Sequence, residues 1–481
     1  MNESLRQQAA RGFLVVFSLK IAGTVVARVS QLILPLFLLP SDFGILALAF
    51  FFSGLLAMIA DLGISADLVR RKDRLEEAFD TALVLRIVLA VILVGVSAVI
   101  GWAASLAYQD PRVALPVVIL SLGLVFQALS MVPRVISTRN LDFIRATLPD
   151  SLGKFAAAAL TIGLAVVGFA YWSGVYGAVI GAFVGMTLQI VSSAWRPRFR
   201  FRRDLAREIV GFGKFVTFAV LANFVAHSVD SLIVGAILGI SPLGFYVVAY
   251  SWGVYFTSNL SSVLSPLTYP VLSRVSDDPS RLKRAFAENM RYFGYIAACL
   301  STGVATFAPM FVRSFYGPEW APVIDPMRIL PVTGLLLGYA AIMADALTAV
   351  GRSRTVFIIN WIEVGIVLVL LPLGTVYGGL IGASVATSIG ASFVAISLAR
   401  LCSRRIRMAY SDWFDVLSRP AIAAATALLV GTMWTILVPP SVWALLVGLT
   451  LFIGVYIGVL QTSTRGRFLA DLRELLRLAV Q

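Results

Sequence analysis

Val175-Tyr-Gly-Ala-Val-Ile-Gly-Ala-Phe-Val184 returns about 200 residues later as Val376-Tyr-Gly-Gly-Leu-Ile-Gly-Ala-Ser-Val385, with seven of ten residues identical. A second pair keeps nearly the same shift. Ser41-Asp-Phe-Gly44 aligns with Ser241-Pro-Leu-Gly244, and Ala49 with Ala249. Self-similarity at a fixed period is the mark of a duplicated unit. Both matches fall at predicted helix boundaries, so the unit is expected to be a bundle that occurs twice.

The surroundings of these segments say what solvent the bundle meets. Of the 481 residues, 59% are hydrophobic and only 13% charged, against about 25% charged in a soluble domain. Apolar stretches recur along the whole chain, each near the roughly 20 residues that cross a bilayer as a helix. They predict about fourteen spans: 13–39, 42–65, 80–107, 113–136, 149–170, 175–195, 210–239, 242–270, 290–312, 326–350, 355–374, 379–400, 419–438 and 443–461. Short turns such as Pro40-Ser41-Asp42 and Pro439-Pro440 join several of them as antiparallel hairpins. The first stretch is too long for a signal-peptide core and carries Arg28, so it reads as a retained helix.

The net charge of +14 would suggest nucleic acid in a soluble protein. Its placement excludes that reading. Of 39 Lys and Arg, 31 fall on alternate connections beginning with the N-terminus, and only Arg112, Arg313 and Arg328 fall on the others. Lys20, Arg28, Arg86, Lys154 and Lys214 lie within spans. Such a bias puts both termini in the cytoplasm, with the basic loops facing anionic lipid. Six spans per repeat is an even number, so both copies enter the membrane from the same side. The fold class is an all-α membrane protein with two parallel six-helix repeats and two C-terminal helices. Its parts are an N-lobe over 1–200, a C-lobe over 201–400, and the extra pair over 401–481. The tail Arg465–Gln481 sets Phe468, Leu472, Leu475, Leu476 and Ala479 on one face and reads as an interfacial amphipathic helix. Parallel repeats of this kind are a transporter architecture, with substrate near the midplane between them.

Enzyme motifs are absent. There is no phosphate-binding Gly-x-x-x-x-Gly-Lys-Ser/Thr loop and no His-Glu-x-x-His. With one histidine, His227, a nucleophile–base pair or a histidine metal site has no second member. Cys299 and Cys402 lie in different settings, without metal-ligand company. No cofactor or metal is expected, and energy must come from an ion gradient, the membrane potential or removal of product.

Several stretches resemble one family. Leu38-Leu-Pro-Ser-Asp-Phe-Gly44, Ala60-Asp-Leu-Gly-Ile-Ser-Ala-Asp-Leu-Val-Arg-Arg-Lys72 and Leu238-Gly-Ile-Ser-Pro-Leu-Gly-Phe-Tyr246 are similar to segments of Wzx-type polysaccharide flippases. So are Pro270-Val-Leu-Ser-Arg-Val-Ser-Asp-Asp278 and Phe315-Tyr-Gly-Pro-Glu-Trp320. These proteins sit in the multidrug/oligosaccharidyl-lipid/polysaccharide exporter superfamily, and the likeness is to the colanic acid and exopolysaccharide exporters. It runs in order over about 10–400. It implies a transporter in the bacterial inner membrane that flips undecaprenyl-pyrophosphate-linked oligosaccharide to the periplasmic leaflet by alternating access. The implied partners are that lipid-linked substrate, membrane lipid, a coupling cation and polysaccharide polymerase machinery. Two alternatives stand: a cation-coupled drug or metabolite exporter of the same superfamily, and a membrane glycan polymerase or ligase. The latter usually carries a large periplasmic loop, and the longest here is the short 313–325.

A charge near a helix centre costs about 2.5–3.5 kcal/mol on insertion scales and persists where it meets protein or water. Arg28, with Gln31 one turn on, is a candidate for the substrate pyrophosphate, or for an ion pair inside its bundle. Arg86, Lys154 and Lys214 could line a cationic vestibule, or snorkel to headgroups. His227 and Asp230 match residues 27 to 30 after the shift and are a candidate coupling site, or a hydrogen-bonded helix contact. Glu363 is a third coupling candidate. Asp61 and Asp345 read as capping or loop-pairing groups.

Overall fold

In the computed structural model, residues 22–23, 26, 29–31, 33–140, 142–226 and 228–464 are described. The described residues are nearly all helical and form two compact units, Met1–Gly244 and Phe245–Gln481. Nine helical segments are long and apolar enough to cross a membrane among the described residues.

After a 3-10 turn at Leu34–Leu36, unit 1 continues with α1, Pro40–Asp61, and its sequence explains the start. Pro40 sits at the first turn, where its missing N–H costs nothing. The Asp42 carboxylate accepts the Leu39 N–H at 2.9 Å, satisfying a donor that the helix cannot. The chain then turns at Leu62 and Gly63, both left-handed, into the short α2, Ile64–Arg70. The long α3, Leu75–Ala107, returns. A Pro111 turn leads to α4, Ala114–Ser121, and α5, Gly123–Arg139. The pair α6, Phe143–Val166, and α7, Trp172–Val191, packs closely. Glycine permits that approach: a Cβ on Gly153 would stand 2.6 Å from the Gly181 carbonyl oxygen. Small residues that let backbones approach are a recurrent glue between helices in lipid. Helices α8, Arg203–Ala226, and α9, Val229–Leu238, complete the unit; Phe224 stacks on Phe51 at 5.5 Å.

Helix α10, Ile240–Tyr250, starts in unit 1 and runs into unit 2 from Phe245, and a π-turn at Ser251–Tyr255 and α11, Phe256–Arg274, follow. It continues with α12, Pro279–Phe315, and, after a second Pro-led turn at Pro318–Val323, α13, Ile324–Ala349. The segment α14, Ser353–Arg405, is 53 residues but is interrupted at Gly379, whose φ of 56° and ψ of −138° are not helical. A hairpin folds there on close packing of Gly374 against Gly382. Finally α15, Tyr410–Leu437, and α16, Val442–Ser463, lie on α12, where the Tyr456 hydroxyl donates to the Tyr295 carbonyl at 2.8 Å. Leu272, Phe286, Phe293 and Met343 anchor one apolar core of this unit, and Phe307 with Phe452 another.

One expectation needs correction. The two Val-Tyr-Gly copies do not occupy the same place in their helices. Val175–Val184 lies wholly inside α7, which starts at Trp172, whereas Val376–Val385 straddles the Gly379 break. The difference rests on Gly379, which bends the chain where the first copy has Ala178, whereas the aligned Gly181 and Gly382 both lie against the backbone of a preceding glycine, Gly153 and Gly374. The earlier match keeps its place, because α1 starts at Pro40 and α10 at Ile240. The amphipathic tail 465–481, and the candidates Lys20, Arg28 and His227, fall outside the described residues.

Candidate functional site

Helix α6 has 24 residues but is not among the nine segments long and apolar enough to cross a membrane, and it carries Asp150 and Lys154 in its first half. Charged groups on an otherwise apolar helix need protein or water around them, and the neighbouring helices show which.

Arg86 lies eleven residues into α3, with its side chain only 9% exposed. Its Nη1 donates to Asp61 Oδ1 at 2.6 Å and to Ser65 Oγ at 3.1 Å. Ser65 Oγ also donates to Asp61 Oδ1, at 2.7 Å. Asp61 closes α1 and Ser65 opens α2, so the left-handed Leu62–Gly63 turn is what brings both to one guanidinium. Arg86 Nε is buried with no hydrogen-bond partner among the described residues. The guanidinium therefore keeps donor capacity beyond its Asp61 contact.

Arg134, one turn before the end of α5, is within electrostatic reach of Arg86. Its Nη2 donates to Asp150 Oδ1 at 3.1 Å, while Asp150 Oδ2 takes Lys154 Nζ at 3.2 Å. Asp61, Arg134, Asp150 and Lys154 are all partly exposed, Lys154 most at 67%. Three cations thus stand against two carboxylates on four adjoining helices. Paired charges hold one another in place, and one positive charge is left over for an anion.

The same end of unit 1 is closed by a second set of charges. Arg139 Nη1 donates to the carbonyls of Leu68, Val69 and Arg71, which ends α2. Asp67, buried, takes both Arg70 and Arg71. The connection into α8 is strapped back by Arg74–Asp204, Arg202–Glu77, Arg198–Glu76 and Arg71–Glu208. Arg74, followed by Arg202, holds the Asp204 carboxyl below the ordinary carboxylate range.

Of the residues singled out from sequence, Arg86 and Lys154 are therefore brought to one end of unit 1, linked through Arg134 and Asp150. Neither is a bare snorkelling cation. Gln31 is exposed. The backbone of Lys214 is in α8, and its side chain lies outside the described residues. Asp230 is buried at the start of α9, with Oδ1 accepting the Ser231 N–H at 2.8 Å. Glu363 is half-buried in unit 2 against Gly390. Sequence reading passed over Asp150 and Arg134, and gave Asp61 only a capping role. A usable signal existed. Asp61 lies nine residues before Arg70 and Arg86 eleven after Leu75, so the hairpin sets them at similar depth. Asp150 and Lys154 also sit four apart on one helix face.

Comparison with known proteins fits this architecture. A family model described as "Polysaccharide biosynthesis protein" matches residues 33–325. The lipopolysaccharide biosynthesis protein WzxC of Escherichia coli (strain K12) is 21% identical over 347 residues, covering 71% of this chain and 70% of its own. The succinoglycan biosynthesis transport protein ExoT of Rhizobium meliloti (strain 1021) is 22% identical over 400 residues, covering 83% and 81%. In fold, the chain is similar to a solved structure of the lipid II flippase MurJ in an inward closed conformation. The TM-score is 0.71 at 15% identity, over 94% of this chain and 99% of that one.

Proposed function

Since this multi-pass membrane protein belongs to the polysaccharide biosynthesis protein family, we propose that it flips a lipid-linked oligosaccharide from the cytoplasmic to the periplasmic leaflet of the inner membrane. The carrier would be undecaprenyl pyrophosphate, and the route alternating access. The observation that carries this reading is the cationic cluster of Arg86, Arg134 and Lys154 on adjoining helices, with Asp61 and Asp150 to balance it. A pyrophosphate crossing a low-dielectric region needs a partner charge. Arg86 offers a planar fork suited to phosphate oxygens, and Asp61 marks where those oxygens would compete.

The finer architecture belongs to the same proposal. Fourteen spans form two parallel six-helix repeats over 1–200 and 201–400, followed by an extra pair, with both termini cytoplasmic. Taken in order, helices begin at Pro40 and Ile240, Leu75 and Pro279, Pro111 and Pro318, and Phe143 and Ser353. Proline-led turns precede the same member of each series. Arg28, Gln31 and Lys214 would extend the substrate contacts, and His227, Asp230 and Glu363 would serve a coupling cation. Polymerase machinery would take the delivered repeat units.

Deleting the gene tests the substrate class. Loss of a surface polysaccharide, with lipid-linked repeat units accumulating on the cytoplasmic leaflet, is the expected result. A strain that stops making the repeat unit, or changes only in drug sensitivity, would overturn the reading.

A further inference from the structure

A second charge cluster lies in unit 2, on α12 and α15. Asp415 sits between two guanidinium groups: Arg291 Nη2 donates to its Oδ2 at 2.6 Å and Arg419 Nη2 to its Oδ1 at 2.7 Å. Nearer the helix starts, Lys283 Nζ meets Asp412 Oδ2 at 2.6 Å. Asp412, Asp415 and Arg419 recur at three and four residues, so they form one face of α15. Again three cations face two carboxylates. Arg291 Nε is buried and has no hydrogen-bond partner among the described residues, so the pair with Asp415 does not use up the guanidinium.

The depth of this cluster is fixed by helix length. α15 has 28 residues, whereas about 20 cross the hydrocarbon. Counting back from the exposed Leu437 puts Arg419 at the hydrocarbon edge and Asp415 and Asp412 outside it. α12, with 37 residues, likewise exceeds the core and brings Arg291 to the same edge. That is the level of lipid phosphates. Beside the cluster, Phe414 is 74% exposed and Leu417 is exposed too, giving an apolar flank to the charged face. An exposed phenylalanine one residue from a carboxylate–guanidinium cluster suits a boundary between headgroup and acyl chain.

We propose that Arg291 and Arg419, held apart by Asp415 at the α12–α15 junction, bind the phosphate of an anionic phospholipid. Asp415 aligns the two guanidinium groups and screens their repulsion. The phosphate oxygens take exposed N–H groups that Asp415 and, for Arg419, the Tyr295 hydroxyl leave over, and the excess positive charge favours a lipid with net negative charge over a zwitterionic one. The site is built by α12 and α15 of unit 2 and uses no residue of the unit 1 cluster. The flippase reading could fail and this one survive.

The test uses the full-length purified protein in nanodiscs or detergent with phosphatidylglycerol or phosphatidylcholine. Retained lipid is counted by native mass spectrometry, and thermal stability is measured in parallel. The wild type should retain phosphatidylglycerol selectively and gain thermal stability from it. Arg419→Gln should weaken that retention about tenfold or more, as loss of a charged hydrogen bond implies, and Arg291→Gln/Arg419→Gln should abolish the selectivity. Asp415→Asn should act oppositely, raising phosphatidylglycerol retention by leaving both cations unbalanced. Equal losses in Asp415→Asn and Arg419→Gln would show a purely structural cluster and overturn the proposal. So would unchanged selectivity in the double variant, or equal retention of phosphatidylcholine. Equal stabilisation by inorganic phosphate alone would overturn the lipid assignment.

Discussion

Gly44 and Gly244 meet, each against the backbone where the other's helix begins. A Cβ on Gly44 would run into the Ile240 carbonyl oxygen, and one on Gly244 would run into the Pro40 carbonyl oxygen. These are the residues that the sequence aligns at a shift of 200. The reciprocity gives physical content to that match: each Ser-x-x-Gly segment has glycine where its partner's backbone passes directly over it.

Alanine at either position should therefore destabilise the protein by about 1–3 kcal/mol, the usual range for forcing a methyl into packed backbone. Gly44→Ala and Gly244→Ala should give similar losses in thermal unfolding. Gly211→Ala, where nothing lies within 4 Å of the added Cβ, should be near neutral. A large difference between the two reciprocal variants would break the symmetry of the contact.

Arg86 and Asp61 should be asymmetric under substitution. Asp61→Asn leaves a buried guanidinium without its carboxylate and should cost roughly 2–4 kcal/mol, below the full value for a buried pair because Asp61 is partly exposed. Arg86→Lys keeps charge but loses the fork, and should give partial export. Export by Arg86→Ala equal to wild type, at equal membrane levels, would remove Arg86 from the substrate path.

The strap at the α8 connection should respond to salt and to acid. Three of its four ion pairs are exposed on both sides, Arg71–Glu208 being the exception, so raising salt from 0.1 to 1 M should loosen them, as the screening length falls to about 3 Å. Asp204 has a depressed folded pKa. Its contribution is thus present above the ordinary Asp value near 3.9 and is lost as pH falls through the lower folded value. Hydrogen exchange of the 203–208 amides, corrected for intrinsic rates, should be constant from pH 7 to about 4 and rise below. A loss of protection already at pH 6 would point to another group.

Reporter fusions give the orientation. The loops near Arg71, Arg202 and Arg404 should carry cytoplasmic signal. Activity of a periplasmic reporter at 196–209 would break both the topology and the parallel repeat.

Much of the fold was written in the apolar stretches, because lipid demands whole helices and leaves little room for alternatives. The predicted spans 80–107 and 443–461 became Leu75–Ala107 and Val442–Ser463, with the ends extended by amphipathic residues outside the apolar run. The Gly379 hairpin kept its position, although no polar loop marks it. The two Val-Tyr-Gly copies differ in their place along the helix because Gly379 bends the chain where the first copy has Ala178. Arg86 was conspicuous in the sequence as a charge in a span. Its partner was not, because pairing with Asp61 depends on the left-handed turn at Leu62, a leucine with no preference for that conformation. Asp150 and Lys154 were harder still: an i,i+4 ion pair reads as an ordinary solvated face until Arg134 of the neighbouring helix is seen to join it.

The central claim is transport of the lipid-linked oligosaccharide, and its most direct measure is leaflet position in reconstituted vesicles. Purified protein is inserted in liposomes carrying the lipid-linked repeat unit on one leaflet, and a membrane-impermeant glycosidase reports arrival on the other. The account predicts protein-dependent arrival that Arg86→Ala strongly reduces. Arrival equal to protein-free liposomes, or unaffected by Arg86→Ala, would contradict it.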